Sequence, residues 1–128
     1  MVSEITNGIR VSVQTEYQAY HSNPLKQHYV FAYRIRIENH SSKTVRLLRR
    51  FWEISDLNGN NYTVEGEGVV GLQPIIEPNA SHEYVSGCNF ETPLGKMSGF
   101  YTMEKLQNGQ NFDVNIPEFV MVVPYLLN

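Results

Sequence analysis

The residues best placed to do chemistry are Gly66, Gly68 and Gly71, spaced Gly-x-Gly-x-x-Gly within Val-Glu-Gly-Glu-Gly-Val-Val-Gly-Leu-Gln-Pro at positions 64–74. Glycines at this spacing let backbone amides approach a phosphate, and Arg49 and Arg50 could supply the cations. A dinucleotide site also needs a helix that starts inside the motif and points its N-terminus at the pyrophosphate. Here the motif runs into Leu72-Gln73-Pro74-Ile75-Ile76-Glu77-Pro78. Two prolines and a β-branched pair exclude a helix of useful length, and Glu65 and Glu67 put negative charge beside the phosphate position. The string therefore reads as a backbone device, its glycines taking positive φ in a long connection between two sheets. One chemical alternative stays open. The amides of Gly66, Gly68 and Gly71, with Arg49 or Arg50, could form a small-anion nest for pyrophosphate or a nucleotide without any helix.

The remaining candidates are weaker. His21, His28, His40 and His82 form neither a helical pair nor a His-x-His. His40 and His82 fall in turns, at the surface. Cys88 is the sole cysteine, so neither an internal disulfide nor a multi-thiolate metal site can form. It has no base or cation in its local sequence and reads as a packed thiol. Glu65, Glu67 and Glu77 lie near one another in sequence, but a magnesium site needs oxygens that converge in space. Ser86, in Val-Ser-Gly-Cys, is not a Gly-x-Ser-x-Gly elbow. The sequence predicts no catalytic residue, no metal ligand and no cofactor, hence not an enzyme.

The elements around these residues read as strands. Residues 9–15 alternate apolar and polar with period two. Residues 28–39 place Tyr29, Phe31, Tyr33, Ile35 and Ile37 on one face, the pattern of a central strand. Residues 39–43 form a short polar turn, and 44–56 return as a strand expected to pair with 28–39 as an antiparallel hairpin. In that hairpin Lys43, Arg46, Arg49 and Arg50 would neighbour Arg34 and Arg36 and build a positive patch, or else a solvated face with arginine stems covering apolar surface. Leu47-Leu48 and Phe51-Trp52 break the alternation, which calls for a bulge or for two partly covered faces. Asn58-Gly59 and Asn108-Gly109 are tight-turn signals. Residues 83–90 and 96–105 form two further strands, with Gly87 a bulge or a close approach. Phe112, Val114 and Ile116 alternate before Pro117, and Pro117 with Pro124 places the last strand at an edge or makes it switch sheets. Seven to nine short strands with no helical period predict an all-β sandwich of two antiparallel sheets, of the immunoglobulin or fibronectin type III kind, with a closed barrel as the alternative.

The totals agree with a single domain. The chain has 128 residues, 41% of them apolar, enough for a core without staples. Its formal net charge of −3 argues against nucleic-acid binding, which needs a basic surface. No apolar run approaches the roughly 20 residues of a membrane span. These features predict a soluble, cytoplasmic protein with no membrane insertion.

Several runs carry a resemblance. Besides residues 64–74 they are Tyr29-Val30-Phe31-Ala32-Tyr33, Phe51-Trp52-Glu53-Ile54, Tyr84-Val85-Ser86-Gly87, Glu91-Thr92-Pro93-Leu94-Gly95-Lys96-Met97-Ser98-Gly99-Phe100-Tyr101-Thr102-Met103 and Ile116-Pro117-Glu118-Phe119. In order and spacing, over nearly the whole of residues 1–128, the chain resembles the ApaG family. Cys88 departs from the small residue expected after Ser86-Gly87. The resemblance implies a fibronectin type III-like sandwich that serves as a protein-interaction module. It also implies the association with cobalt and magnesium efflux or resistance attached to bacterial members. The expectation is a non-catalytic module that binds a partner protein through edge strands or an aromatic patch, and the same edges could make a homodimer. A small-anion binder and an accessory role in cation handling are the other expectations.

Overall fold

The computed structural model describes residues 1–127 and arranges nine strands in two antiparallel sheets. The first sheet runs in the order β1 (Val2–Thr6), β2 (Ile9–Tyr17), β3 (Tyr29–Asn39) and β7 (Ser81–Phe90). The second runs β5 (Asn61–Glu67), β4 (Val45–Asp56), β8 (Leu94–Lys105) and β9 (Asn111–Val122), and the short β6 (Ile75–Ile76) also pairs with β4. Single-turn 3₁₀ segments at Ala19–His21, Pro24–Lys26 and Pro124–Leu127 are the other elements of the described residues.

The core follows from the period-two pattern. Tyr29, Phe31, Tyr33, Ile35 and Ile37 of β3 are all buried, facing Trp52 and Ile54 of β4, Met97, Tyr101 and Met103 of β8, and Ile116 and Phe119 of β9. The rings of Tyr33, Trp52 and Phe119 meet pairwise with centroids 5.7–5.8 Å apart, joining the sheets through an aromatic cluster. The β8–β9 register slips between Met97↔Phe119 and Gly99↔Ile116, so Pro117 sits in a bulge on an edge strand where its missing N–H costs no ladder bond.

Three expectations are corrected. The strands at 28–39 and 44–56 are not a hairpin: β3 pairs with β2 and β7, whereas β4 pairs with β5, β6 and β8. The turn between them arches from one sheet to the other. Its tie is Asn39, fully buried, whose Nδ2 donates to the carbonyls of Lys43 and Ile76 at 2.7 and 2.9 Å. Its Oδ1 accepts from the amide and hydroxyl of Ser41. A short link forbids a parallel crossover but permits this arch. The joint arginine patch falls with the hairpin, because Arg34 and Arg36 stand on the opposite sheet and pair with Glu83 and Glu38. The third correction concerns the glycine segment, which does not cross between sheets. It links β5 to β6, both of which pair with β4. The crossing comes later, at 77–80, where Asn79 takes φ 66° and donates its amide to the Asn39 carbonyl.

Strand β1 carries no clear signal in the sequence because four of its five residues are exposed. Gly87 produces no bulge; a side chain there would only press on the Phe31 carbonyl at 3.3 Å.

Candidate functional site

The two sheets meet differently on their two sides. On one side β1 lies against β9, and the Asn115 amide donates to Thr6 Oγ1 at 3.2 Å. On the other, the outermost strands are β5 and β7, with no ladder between them. A seam runs there, bordered by Arg50, Gly66 and Gly68 of the residues singled out from the sequence.

One irregularity decides which side chains enter the seam. The β4–β8 register shifts between Leu47 and Arg49, so Leu48 is bulged. Val45 and Leu47 face inward before the bulge, and Trp52 and Ile54 face inward after it. Arg50 shares the phase of Trp52 and therefore turns between the sheets, while Arg49 stays exposed on the outer face. Arg50 lies between Gly66 on β5 and Tyr101 on β8 in the pairing. Its Nη1 donates to the carbonyls of Glu67 and Gly68, both at 2.9 Å. Among the described residues Arg50 forms no ion pair. Glu65 and Glu67 are near it in the chain, but they pair with Phe51 and Arg49, on the outward phase.

Each glycine of the string has a separate task. Gly66 has no positive φ; it makes room, since a Cβ there would stand 3.2 Å from Arg50 Nη2. Gly68 takes φ 64°, and a Cβ would collide with the Leu72 carbonyl. Gly71 takes φ 77° in open space. Val70 and Gly71 together form a two-residue turn closed by the Val69↔Leu72 bridge, and both have positive φ, as a primed hairpin turn requires. Val70 is a β-branched residue held in the left-handed region with its side chain exposed. Val69 plugs the core at the base of the loop. The Gly68 amide donates to Leu48 O, while Val69 and Leu72 exchange amide–carbonyl bonds. The structure thus brings Gly66, Gly68 and Arg50 together, leaves Gly71 at the tip and separates Arg49 from them.

Sequence reasoning missed the hydroxyls. The inward face of β7 carries His82, Tyr84, Ser86 and Cys88, opposite Ile37, Ile35, Tyr33 and Phe31 of β3. Tyr84 and the fully buried Tyr101 of β8 share a short hydroxyl–hydroxyl hydrogen bond between the two sheets. Burial raises both hydroxyls well above the ordinary tyrosine range, with the Arg50 charge opposing the rise. Both therefore stay protonated donors. Burial likewise raises Tyr33, which sits beside Ser86 and within reach of the Arg50 charge. Burial also raises the Cys88 thiol, against the opposing hydrogen bond of Tyr62 from β5. His82 is not in a turn: it lies within β7, half-buried, with Nε2 enclosed and without a hydrogen-bond partner. The broken alternation at Leu47-Leu48 was the signal for all this. With the bulge placed at Leu48, Arg50 falls inward. Among the described residues no group of three His, Cys, Asp or Glu side chains is arranged to hold a metal ion, and no helix is long and apolar enough to cross a membrane.

Comparison with known proteins places these features in company. A family profile described as "ApaG domain" matches residues 19–105. A Brucella suis protein named ApaG is 45% identical over 124 residues, covering 97% of this chain and 95% of its own. A Proteus mirabilis protein of the same name is 45% identical over 120 residues, covering 94% and 95%. A solved Bordetella pertussis protein described as ApaA superposes with a TM-score of 0.87 at 40% identity, covering 95% of each chain.

Proposed function

The chain belongs to the ApaG family, and from that premise we propose that it is a non-catalytic binding module that takes an extended segment of a partner protein along the free edge of β7. The carrying observation is the state of that edge. β7 is ten residues long, pairs with β3 in unbroken register, and has no proline, lysine or bulge. Tyr84 through Asn89 contains no charge. The other edges are protected: β5 carries Glu65 and Glu67, β9 has Pro117 and a bulge, and β1 is covered by β9. An unguarded edge beside a seam of exposed Tyr62 and Val64 suits strand addition, with backbone bonds supplying affinity and the seam reading alternate side chains. Any link to cobalt or magnesium handling would then run through the partner.

The test is selection of extended peptides on the immobilised protein, followed by amide mapping of the binders. Strand addition shifts and protects β7 amides, and N-methylation of the peptide backbone abolishes it. Perturbation confined to other strands, or no selected peptide at all, removes the reading. Concentration-dependent dimerisation through β7 would instead make a second copy the occupant. The bonds already made by the loop amides and by Arg50 weigh against the small-anion alternative; calorimetry with pyrophosphate tests it, and heat that vanishes with Arg50→Gln would restore it.

A further inference from the structure

Arg50 is a half-buried cation on the inward face of its strand that has no carboxylate partner among the described residues. Charges taken out of water normally have a partner of opposite sign. Both hydrogen bonds that Arg50 makes among the described residues leave from Nη1, so Nε and Nη2 keep donors in hand. Gly66, which has no side chain, lets the guanidinium settle against the β5 backbone, since a Cβ there would stand 3.2 Å from Nη2. Beside it, the Tyr84–Tyr101 pair uses only one of its two O–H donors in the bond between them. The group consists of donors around one positive charge, and its complement is a carboxylate.

The ladder says where that carboxylate would come from. In register, Tyr84 stands at the level of Arg50 and Gly66, while Cys88 stands at the level of Tyr62. Between them lie Ser86 and, on β5, Val64. A strand added to β7 would turn alternate side chains into the seam, one at each of these levels. Every strand pair in the fold is antiparallel, so an added strand in the same manner would pass Cys88 first and Tyr84 last.

We infer that the seam selects a partner segment of the form apolar-x-apolar-x-acid, whose carboxylate is received by the Nε and Nη2 donors of Arg50 and the hydroxyl of Tyr84, backed by the fully buried Tyr101, with the apolar residues against Tyr62 and Val64. The inference rests on the strand-addition reading above and adds its specificity. Glu65 and Glu67, on the outward phase of β5, do not compete for the guanidinium.

The test is a display selection from a random heptapeptide library, then fluorescence anisotropy with the best binder and its acid-to-amide counterpart. The expected result is enrichment of Asp or Glu two residues after an apolar position, and about tenfold weaker binding of the amide peptide. On binding, the Arg50 Nε–H resonance of the wild-type protein shifts with the acid peptide and not with the amide, a readout that needs no variant. Tyr84→Phe narrows the acid–amide difference. Arg50→Gln abolishes it, provided the spectrum shows a folded chain. Peptides that bind along β7 with no preference for an acid overturn this inference and leave strand addition standing. Failure to select any peptide removes both. An acid preference without an Arg50 response places the carboxylate elsewhere and also overturns it.

Discussion

The guanidinium of Arg50 lies over Gly66, so close that a Cβ on the glycine would come within 3.2 Å of Nη2. The conspicuous glycine string thus begins with a residue that serves an arginine rather than a ligand's phosphate. Gly66→Val should displace the guanidinium from the Glu67 and Gly68 carbonyls, and Arg50→Met should remove those bonds outright. Each is expected to cost about 2 kcal/mol in urea unfolding. The double variant should cost little more than Arg50→Met alone, because both changes break the same bonds.

Gly68 and Gly71 both have positive φ, and the structure separates them by what surrounds them. Gly68→Ala meets the Leu72 carbonyl as well as the left-handed penalty and should cost about 3 kcal/mol. Gly71→Ala meets only open space and should cost about 1 kcal/mol. Chemical denaturation of the two variants checks the ratio.

Val70 is expected to respond in the opposite direction. It is exposed and holds φ 46°, so Val70→Asn replaces a β-branched residue by one that accepts this region. Stability should rise by about 0.5 kcal/mol. A fall would mean that the exposed valine makes a contact that outweighs its strain.

Asn39 ties the arch with four hydrogen bonds from a fully buried side chain. Asn39→Ala leaves the Lys43 and Ile76 carbonyls short of a donor and should cost about 3 kcal/mol. Asn39→Asp, which cannot donate to those carbonyls when ionised, should be at least as damaging at neutral pH and partly recover when acidified.

The Tyr84–Tyr101 pair sets an alkaline limit. Both hydroxyls have folded pKa values raised above the ordinary 10.0, chiefly by burial. A group raised in the folded state contributes stability that is complete below its unfolded pKa and declines as pH climbs above that value. The protein should therefore keep its stability to about pH 10 and lose it above. Absorbance at tyrosinate wavelengths should show these two rings ionising only as the chain unfolds. Tyr84→Phe should remove the step assigned to Tyr84 and flatten the decline.

Much of this architecture could be read from residue order. The alternation of Tyr29, Phe31, Tyr33, Ile35 and Ile37 fixes a buried central strand whatever its neighbours. Asn58-Gly59 and Pro117 likewise mark a turn and an edge that local chemistry alone dictates. Pairing was harder to read. A five-residue polar link suits a hairpin and an arch equally well until Asn39 is seen to bond Ile76, 37 positions away. The site was hidden by the same kind of non-local choice. Arg49 and Arg50 could each have faced inward, and only the bulge at Leu48, set by β8 and by the Gly68 and Gln73 bonds to its carbonyl, decides between them.

The arch has a consequence for how the chain acquires its shape. Because β3 and β4 part company at Asn39, the β3 ladder is completed only when β7, residues 81–90, arrives, and the β4 ladder only when β8, residues 94–105, does. A nascent chain leaving the ribosome therefore holds these two strands half-paired until most of it has been made. Long loops must close before the core is rewarded, so refolding should be slow for a protein of this size and most prone to clumping in that interval.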